Sequence, residues 1–183
     1  MPPYSTAARV LTVEDDPIVR ADLRLILEDA GFDVVPDARD GVEAVKLARE
    51  HRPDLILIDL SLPNLDGVEA TRQIRGEQDV PIVALTGHST GGLVERALEA
   101  GAVAHVLKPF AEGHLVETIT DALADHALSE AERRRDLMLI ETMVRDGYTE
   151  REIVAALRER RGLNRVVEPA GSRLHRLGEF LSG

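Results

Sequence analysis

Near its middle the chain reads Pro53-Asp54-Leu55-Ile56-Leu57-Ile58-Asp59-Leu60. Four large apolar residues in a row between two aspartates are typical of a strand that is buried on both faces of a parallel sheet. The carboxyl ends of parallel strands share one edge, and open α/β sheets bind their ligands at that edge. Asp59, which ends this run, is therefore expected at the functional edge of a sheet.

Four more apolar runs have the same character, and helical patterns separate them. The five candidate strands are Val10 to Val13, Val34 to Val35, Leu55 to Ile58, Ile82 to Leu85 and Val103 to Leu107. The candidate helices are Pro17 to Ala30 with Asp16 as its N-cap, Gly41 to Arg49, Val68 to Arg75, Leu93 to Ala100 and Leu115 to Leu128. Five such units in series predict an α/β fold, namely a five-stranded, parallel, doubly wound sheet.

Polar residues follow four of these apolar runs and would meet at one edge of the sheet. Carboxylates brought together there would repel one another by several kcal/mol at low effective dielectric unless a cation or a lysine neutralised them. Acids suit a divalent cation, whereas a hydroxyl and an ammonium suit phosphoryl oxygens. Each residue alone also has an ordinary role as a cap, strand end or surface charge. Together they indicate phosphorylation of Asp59. The residues of this predicted site are Glu14, Asp15, Asp59, Thr86 and Lys108.

Five sequence blocks in a fixed order carry a resemblance to a known family. The blocks are Val13-Glu14-Asp15-Asp16-Pro17, the run at 53–60, Leu62-Pro63-Asn64-Leu65-Asp66-Gly67, Thr86-Gly87 and Lys108-Pro109-Phe110. Through them the first 128 residues closely resemble the receiver domain of bacterial two-component response regulators. The resemblance implies a flavodoxin-like fold and a phosphorylation-activated switch rather than a metabolic enzyme.

The resemblance also implies the role of each site residue. Asp59 would take a phosphoryl group from a sensor histidine kinase or a phosphotransfer protein. Thr86 and Lys108 would bind phosphoryl oxygens, and the peptide bond between Lys108 and Pro109 would be cis. The Mg²⁺ ligands that the resemblance implies are Glu14, Asp15, Asp59 and the backbone carbonyl of Ser61.

Three further positions bear on how such a switch would work. Ser61 weighs against a haloacid-dehalogenase-like phosphatase, which needs a second aspartate there as general acid. His88 lies where the family tunes access of hydrolytic water, or it is an exposed loop residue. His105 stands where receivers generally carry a rotating Tyr or Phe. The coupling of Asp59 to the switch surface, the face formed by the fourth helix, fifth strand and fifth helix, is therefore expected to be weaker or pH-sensitive. A histidine without any role is the alternative at position 105.

Ser129 is expected to begin a small all-α region at residues 129–183. Ser129 with Glu132, and Thr149 with Glu152, form two capping boxes that predict two helices. Gly147 would separate them. The sequence thus predicts a receiver at 1–128 followed by a helical output region.

The output of this region has competing interpretations. Residues 147–157 resemble a segment of LuxR-type helix-turn-helix domains, but Pro169 falls where the recognition helix should run. DNA binding would use an arginine set consisting of Arg158, Arg160, Arg161, Arg165, Arg173 and Arg176. The alternative is homodimerisation or partner docking through Leu137, Ile140 and Val144. A third interpretation is a tail that covers the receiver's own switch surface.

Composition limits the environment and the partners. The net charge is −12 over residues 1–128 and +1 over 129–183, so nucleic-acid contact is expected only from the second part. The chain contains no cysteine, which excludes disulfides and thiolate metal sites. Neither a leader nor a transmembrane run is apparent, and we therefore expect a cytoplasmic protein without membrane contact.

Overall fold

The structure is a computed structural model that describes residues 7–87 and 91–160. Strands and helices alternate along these residues up to the fifth strand. The elements are β1 (Arg9–Val13), α1 (Pro17–Asp29), β2 (Asp33–Val34), α2 (Gly41–His51), β3 (Leu55–Asp59), α3 (Gly67–Glu77), β4 (Ile82–Thr86), α4 (Gly91–Glu99), β5 (Ala104–Leu107), α5 (Glu112–Arg145) and α6 (Glu150–Arg160). The chain divides into two compact units, residues 1–127 and 128–183.

The five strands of the first unit form one parallel sheet in the order β2-β1-β3-β4-β5. This confirms the predicted doubly wound, flavodoxin-like fold. The chain leaves β1 toward β2 on one side and then crosses to β3 on the other. Such a reversal opens a crevice at the carboxyl ends of β1 and β3, which is where ligands bind in open α/β sheets.

Successive apolar side chains along each strand point to opposite faces of the sheet, and they form a hydrophobic core on each side. Leu55 and Leu57 of β3 belong to one buried cluster, and Ile56 and Ile58 belong to the other. All five residues of β3 are buried, as are those of β4. Continuous apolar strands arise because helices cover both faces of a parallel sheet.

Aspartates fix the starts of three helices whose N-termini lie at the functional edge. Asp16 accepts a hydrogen bond from the Ile18 backbone N–H at 2.7 Å and caps α1, as predicted. Asp40 and Asp66 cap α2 and α3 in the same way. Each carboxylate satisfies backbone N–H groups that have no partner within the first turn of a helix.

Helix α5 overturns one boundary expected from the sequence. The prediction of a new helix at Ser129 is wrong, because α5 runs without a break from Glu112 to Arg145. Neither glycine nor proline occurs between Gly113 and Gly147, so nothing in the backbone ends the helix before that point. A Ser-x-x-Glu pattern inside a helix forms no cap, since the N–H groups that it would satisfy already bond the preceding turn.

The second capping box is confirmed and begins α6. The Thr149 backbone N–H donates to Glu152 Oε2 at 2.8 Å, and the Glu152 N–H donates to Thr149 Oγ1 at 3.4 Å. Gly147, with φ of 81°, reverses the chain just before this box. In the part of the chain with described structure, no helix is both long and apolar enough to cross a membrane.

The apolar contacts described for the second unit lie on a different face of α5 from the residues considered for dimerisation or docking. Among the described residues of this unit the buried apolar ones are Met143 and Ala156, and Leu139, Tyr148 and Ile153 pack against them. Leu137 and Val144, two of the three residues considered for dimerisation or docking, are 58% and 60% exposed. Arg160 of α6 forms an ion pair with the buried Asp136 of α5 at 2.8 Å, which ties the two helices together.

Candidate functional site

The sheet register brings the predicted site residues to one edge. Val13, the last residue of β1, lies beside Ile58, and Asp59 lies beside Leu85. Thr86 in turn pairs with Leu107 of β5. Glu14, Asp59, Thr86 and Lys108 are therefore the residues at or just beyond the ends of four adjacent strands, although 94 positions separate the first from the last.

An ammonium group bridges two buried carboxylates at the centre of this edge. Lys108 Nζ lies 2.5 Å from Glu14 Oε2 and 2.6 Å from Asp59 Oδ2. Glu14 and Asp59 are 1% and 6% exposed. Neither carboxylate could be held at this depth without a partner, because an unpaired buried charge costs several kcal/mol.

Burial and charge act in opposite directions on these groups. Burial raises the pKa of Glu14 above its ordinary value, and the hydrogen bond and charge of Lys108 offset only part of that rise. Burial by itself would lower the pKa of Lys108, but the hydrogen bonds and charges of Asp59 and Glu14 outweigh it and raise that pKa. Lys108 is therefore a fixed positive charge at neutral pH.

The acidic cluster fits a divalent cation. Oxygen atoms of Glu14, Asp15 and Asp59 all lie within 4.8 Å of one another. Three carboxylates and the single ammonium of Lys108 leave a formal charge of −2 in one small volume. Oxygen ligands of this charge are the kind that Mg²⁺ prefers, since it is a small, hard cation. The residues present thus fit the metal predicted from the sequence.

The loop between β1 and α1 is held by an arginine whose role is not apparent from the sequence. Arg20 Nη1 donates to the backbone carbonyl of Glu14 at 2.6 Å and to that of Asp15 at 3.3 Å. This guanidinium fixes the backbone of both acids from the first turns of α1. An arginine at this position of a helix resembles any surface charge in the sequence, so only the folded structure reveals the contact.

The other carboxylate oxygen of Asp59 is held by the backbone that directly follows β3. The Ser61 N–H donates to Asp59 Oδ1 at 2.9 Å. Gly67 of α3 packs so tightly here that an added Cβ would lie 2.7 Å from Leu60 Cα and 2.9 Å from the Asp59 carbonyl carbon. The carboxylate of Asp59 is thus held from two directions, by Ser61 and by Lys108.

Thr86 and His105 occupy different environments on neighbouring strands. Thr86 is buried, and its carbonyl accepts a hydrogen bond from the Lys108 N–H at 2.8 Å. His105 is exposed on β5, whereas the next residue, Val106, is buried. The Lys108-Pro109 peptide is cis, the isomer that the resemblance implies. His88 lies outside the described residues.

Only part of the predicted arginine set falls on described residues. Arg158 is exposed on α6, but Arg160 pairs with Asp136. That ion pair occupies Arg160 within the fold. The other four, Arg161, Arg165, Arg173 and Arg176, lie outside the described residues.

We expect Mg²⁺ to stabilise this fold and Asp15 to be required for the effect. A ligand that binds only the folded state at 100 times its Kd raises the free energy of unfolding by about 2.7 kcal/mol. Urea unfolding with and without Mg²⁺ measures this gain, and Asp15→Asn should abolish most of it.

The adjacent Asp16 supplies a matched control. Asp16→Asn removes the same charge from the same loop, but asparagine caps a helix as well as aspartate does. The variant should therefore keep the Mg²⁺ effect. Equal losses in Asp15→Asn and Asp16→Asn would show that the metal responds to the general charge of the loop and that Asp15 is not a ligand.

Comparison with known proteins agrees with this geometry. A family model described as the response regulator receiver domain matches residues 10–120, more than half of the chain. The transcriptional regulatory protein PdtaR of Mycobacterium tuberculosis is 43% identical over 116 residues. That match covers 63% of this chain but only 57% of PdtaR, so the chain spans less than two thirds of that relative.

Two solved structures show the same fold. The receiver domain of a sensor histidine kinase from Pseudomonas aeruginosa, which has a magnesium ion coordinated in its active-site cleft, is 35% identical with a TM-score of 0.61. A LuxR-family two-component response regulator from Aurantimonas sp. is 39% identical, also with a TM-score of 0.61. The matches cover 65% and 70% of this chain, and 99% of each solved chain.

Proposed function

Since the chain belongs to the response regulator receiver family, we propose that it is a switch in two-component signalling and that Asp59 is its phosphoacceptor. The phosphoryl donor is the phosphohistidine of a sensor kinase or of a phosphotransfer protein. The observation that carries this proposal is the buried Asp59 carboxylate, whose two oxygens contact the Ser61 N–H and the Lys108 ammonium. An aspartate with only a structural role would need no second acid beside it.

Each side chain of the site has a role in the transfer. The bond between phosphorus and the donor's imidazole nitrogen breaks while a bond from phosphorus to an Asp59 carboxylate oxygen forms. Lys108 holds Asp59 in place and balances charge on the phosphoryl oxygens, to which the Thr86 hydroxyl donates a hydrogen bond. Arg20 keeps the backbone of Glu14 and Asp15 in position. Mg²⁺ bound by Glu14, Asp15, Asp59 and the Ser61 carbonyl would supply further charge neutralisation.

The same residues favour storage of the phosphoryl group over rapid turnover. Ser61 stands where phosphatases with a strand-end aspartate carry their general acid, and its side chain is a poor proton donor for that purpose. The chain therefore acts as a switch whose own chemistry is limited to phosphorylation and slow hydrolysis at Asp59. It is not a metabolic enzyme.

An interaction output is better supported than DNA binding. Arg160, one of the six arginines considered for DNA, is engaged by Asp136, whereas apolar side chains of α5 are exposed. PdtaR, by its name a transcriptional regulatory protein, favours the alternative, regulation of transcription. A gel shift of the full chain at two salt concentrations tests the alternative, because phosphate contacts weaken steeply with salt.

Phosphorylation is tested directly with a small phosphodonor. The full chain is incubated with acetyl phosphate and Mg²⁺, and intact-mass spectrometry should show one added phosphoryl group. Asp59→Asn should show none. Asp66→Asn is the matched control, since it changes an aspartate that caps α3 without entering the site. A phosphoryl group that remains in Asp59→Asn would refute the assignment of the acceptor.

A further inference from the structure

One exposed face of α5 in the second unit has a repeating pattern of charge. Its residues recur at helical spacing over four turns, so they share one face at 100° per residue. Leu139 and Met143, which pack against α6, lie on the opposite face. We call this exposed face the α5 stripe, and it consists of Glu130, Arg134, Leu137, Met138, Glu141 and Arg145.

The centre of the α5 stripe is apolar and open to solvent. Leu137 is 58% exposed and Met138 is 68% exposed. Val144 extends this apolar surface and is 60% exposed. Large apolar side chains clustered at that exposure on one helix face indicate an interaction surface.

The stripe is complementary to itself when reversed. In an antiparallel pair centred between Leu137 and Met138, Glu130 lies opposite Arg145 and Arg134 lies opposite Glu141. Leu137 then meets Met138 of the second copy. A parallel pair would instead place each charge against its own copy, and like charges at that distance repel.

We propose that the α5 stripe is an isologous interface through which two copies of this chain pair in antiparallel orientation. The order of charges along the α5 stripe favours a second copy of this chain as its binding partner. A two-fold axis makes every contact reciprocal, so each acid of one copy meets an arginine of the other. Within one chain Arg134 already lies 3.4 Å from Glu130. Glu141 of the second copy would extend that pair into a network of opposite charges across the interface.

This inference deepens the interaction output of the proposed function but does not require phosphorylation of Asp59. The contacts lie within residues 130–145, and the site residues of the receiver take no part in them. Self-association of an Asp59→Asn chain would therefore support the pairing even if the chain accepted no phosphoryl group.

Charge reversal tests the pairing. Sedimentation velocity of the full chain over a range of concentrations should show a monomer-dimer equilibrium. Arg134→Glu and Glu141→Arg should each weaken association at least tenfold, because each creates two repulsive contacts per dimer. The double variant should recover most of the affinity. Arg135→Glu alters the net charge as much as Arg134→Glu but lies outside the stripe, and it should leave association unchanged.

Cysteine cross-linking tests the orientation, since the chain has no native cysteine. Glu130 and Arg145 lie opposite each other across the antiparallel pair. Copies with Glu130→Cys and copies with Arg145→Cys should cross-link when mixed, and neither should cross-link to itself, because equivalent positions lie about 22 Å apart along the axis. Self-cross-linking of Arg145→Cys would indicate a parallel pair and overturn the proposal.

Two further results would also overturn it. One is a chain that stays monomeric at every concentration. The other is a dimer that withstands both single reversals, since the interface would then lie elsewhere on the molecule.

Discussion

Alanine in place of Gly67 is expected to destabilise the fold by about 3 kcal/mol, the upper end of the usual cost of overpacking. The added Cβ would lie 2.7 Å from Leu60 Cα and 2.9 Å from the carbonyl carbon of Asp59. Both neighbours are backbone atoms, so no side chain can rotate away. Either α3 or the end of β3 must shift, and the Asp59 carboxylate would shift with β3.

The measurement is urea unfolding, with Gly76→Ala as the control. Gly76 belongs to the same helix, but nothing lies within 4 Å of a Cβ added there. Alanine at an unhindered helical position stabilises by roughly 0.5–1 kcal/mol relative to glycine. The two variants should therefore move the midpoint in opposite directions. A neutral Gly67→Ala would mean that α3 does not approach β3 as closely as described.

Replacing Lys108 by methionine is expected to slow phosphorylation by acetyl phosphate about a hundredfold, the lower end of the loss seen when one donor to a developing oxyanion is removed. Lys108 Nζ contacts both Glu14 and Asp59. Without it, the carboxylates repel each other and the phosphoryl oxygens lack one compensating charge. The rate is followed by intact-mass spectrometry with Mg²⁺ at a fixed, saturating concentration.

The chain offers one matched control, because its only other lysine is Lys46. Lys46 is exposed on α2 and lies 3.9 Å from Glu50. Lys46→Met should leave the rate unchanged, and far-UV circular dichroism should show that both variants are folded. Equal rates for Lys108→Met and the unaltered chain would remove Lys108 from the mechanism.

The accuracy of the sequence-based predictions varied with the range of the interactions involved. The five strands were found to within a residue or two, because glycine or proline separates them and the three central strands are continuous apolar runs buried on both faces. The Asp16 cap and the Thr149 capping box were also found, since each involves contacts over only two or three residues. The break at Ser129 was wrong because a capping pattern ends nothing where the backbone stays favourable for helix.

Contacts between residues that are far apart in the chain could not be predicted from the sequence. The pattern predicted that Glu14, Asp59 and Lys108 would share an edge, but not that one ammonium would bridge both carboxylates. Arg20 was missed for the same reason, since its partners are backbone carbonyls that any residue could supply. The sequence also did not indicate that Leu139 and Met143 would pack against α6, because that contact depends on how the turn at Gly147 places α6.

The sequence by itself therefore determined the α/β class, the order of the elements and the residue types at the functional edge. These follow from hydrophobic periodicity and from turn and cap residues, which act locally. Only the tertiary structure decided how deeply Glu14 and Asp59 are buried, which charge compensates them and which face of α5 stays open. Those properties depend on the distances between atoms of separate elements, and such distances are set only when the whole sheet and its helices pack together.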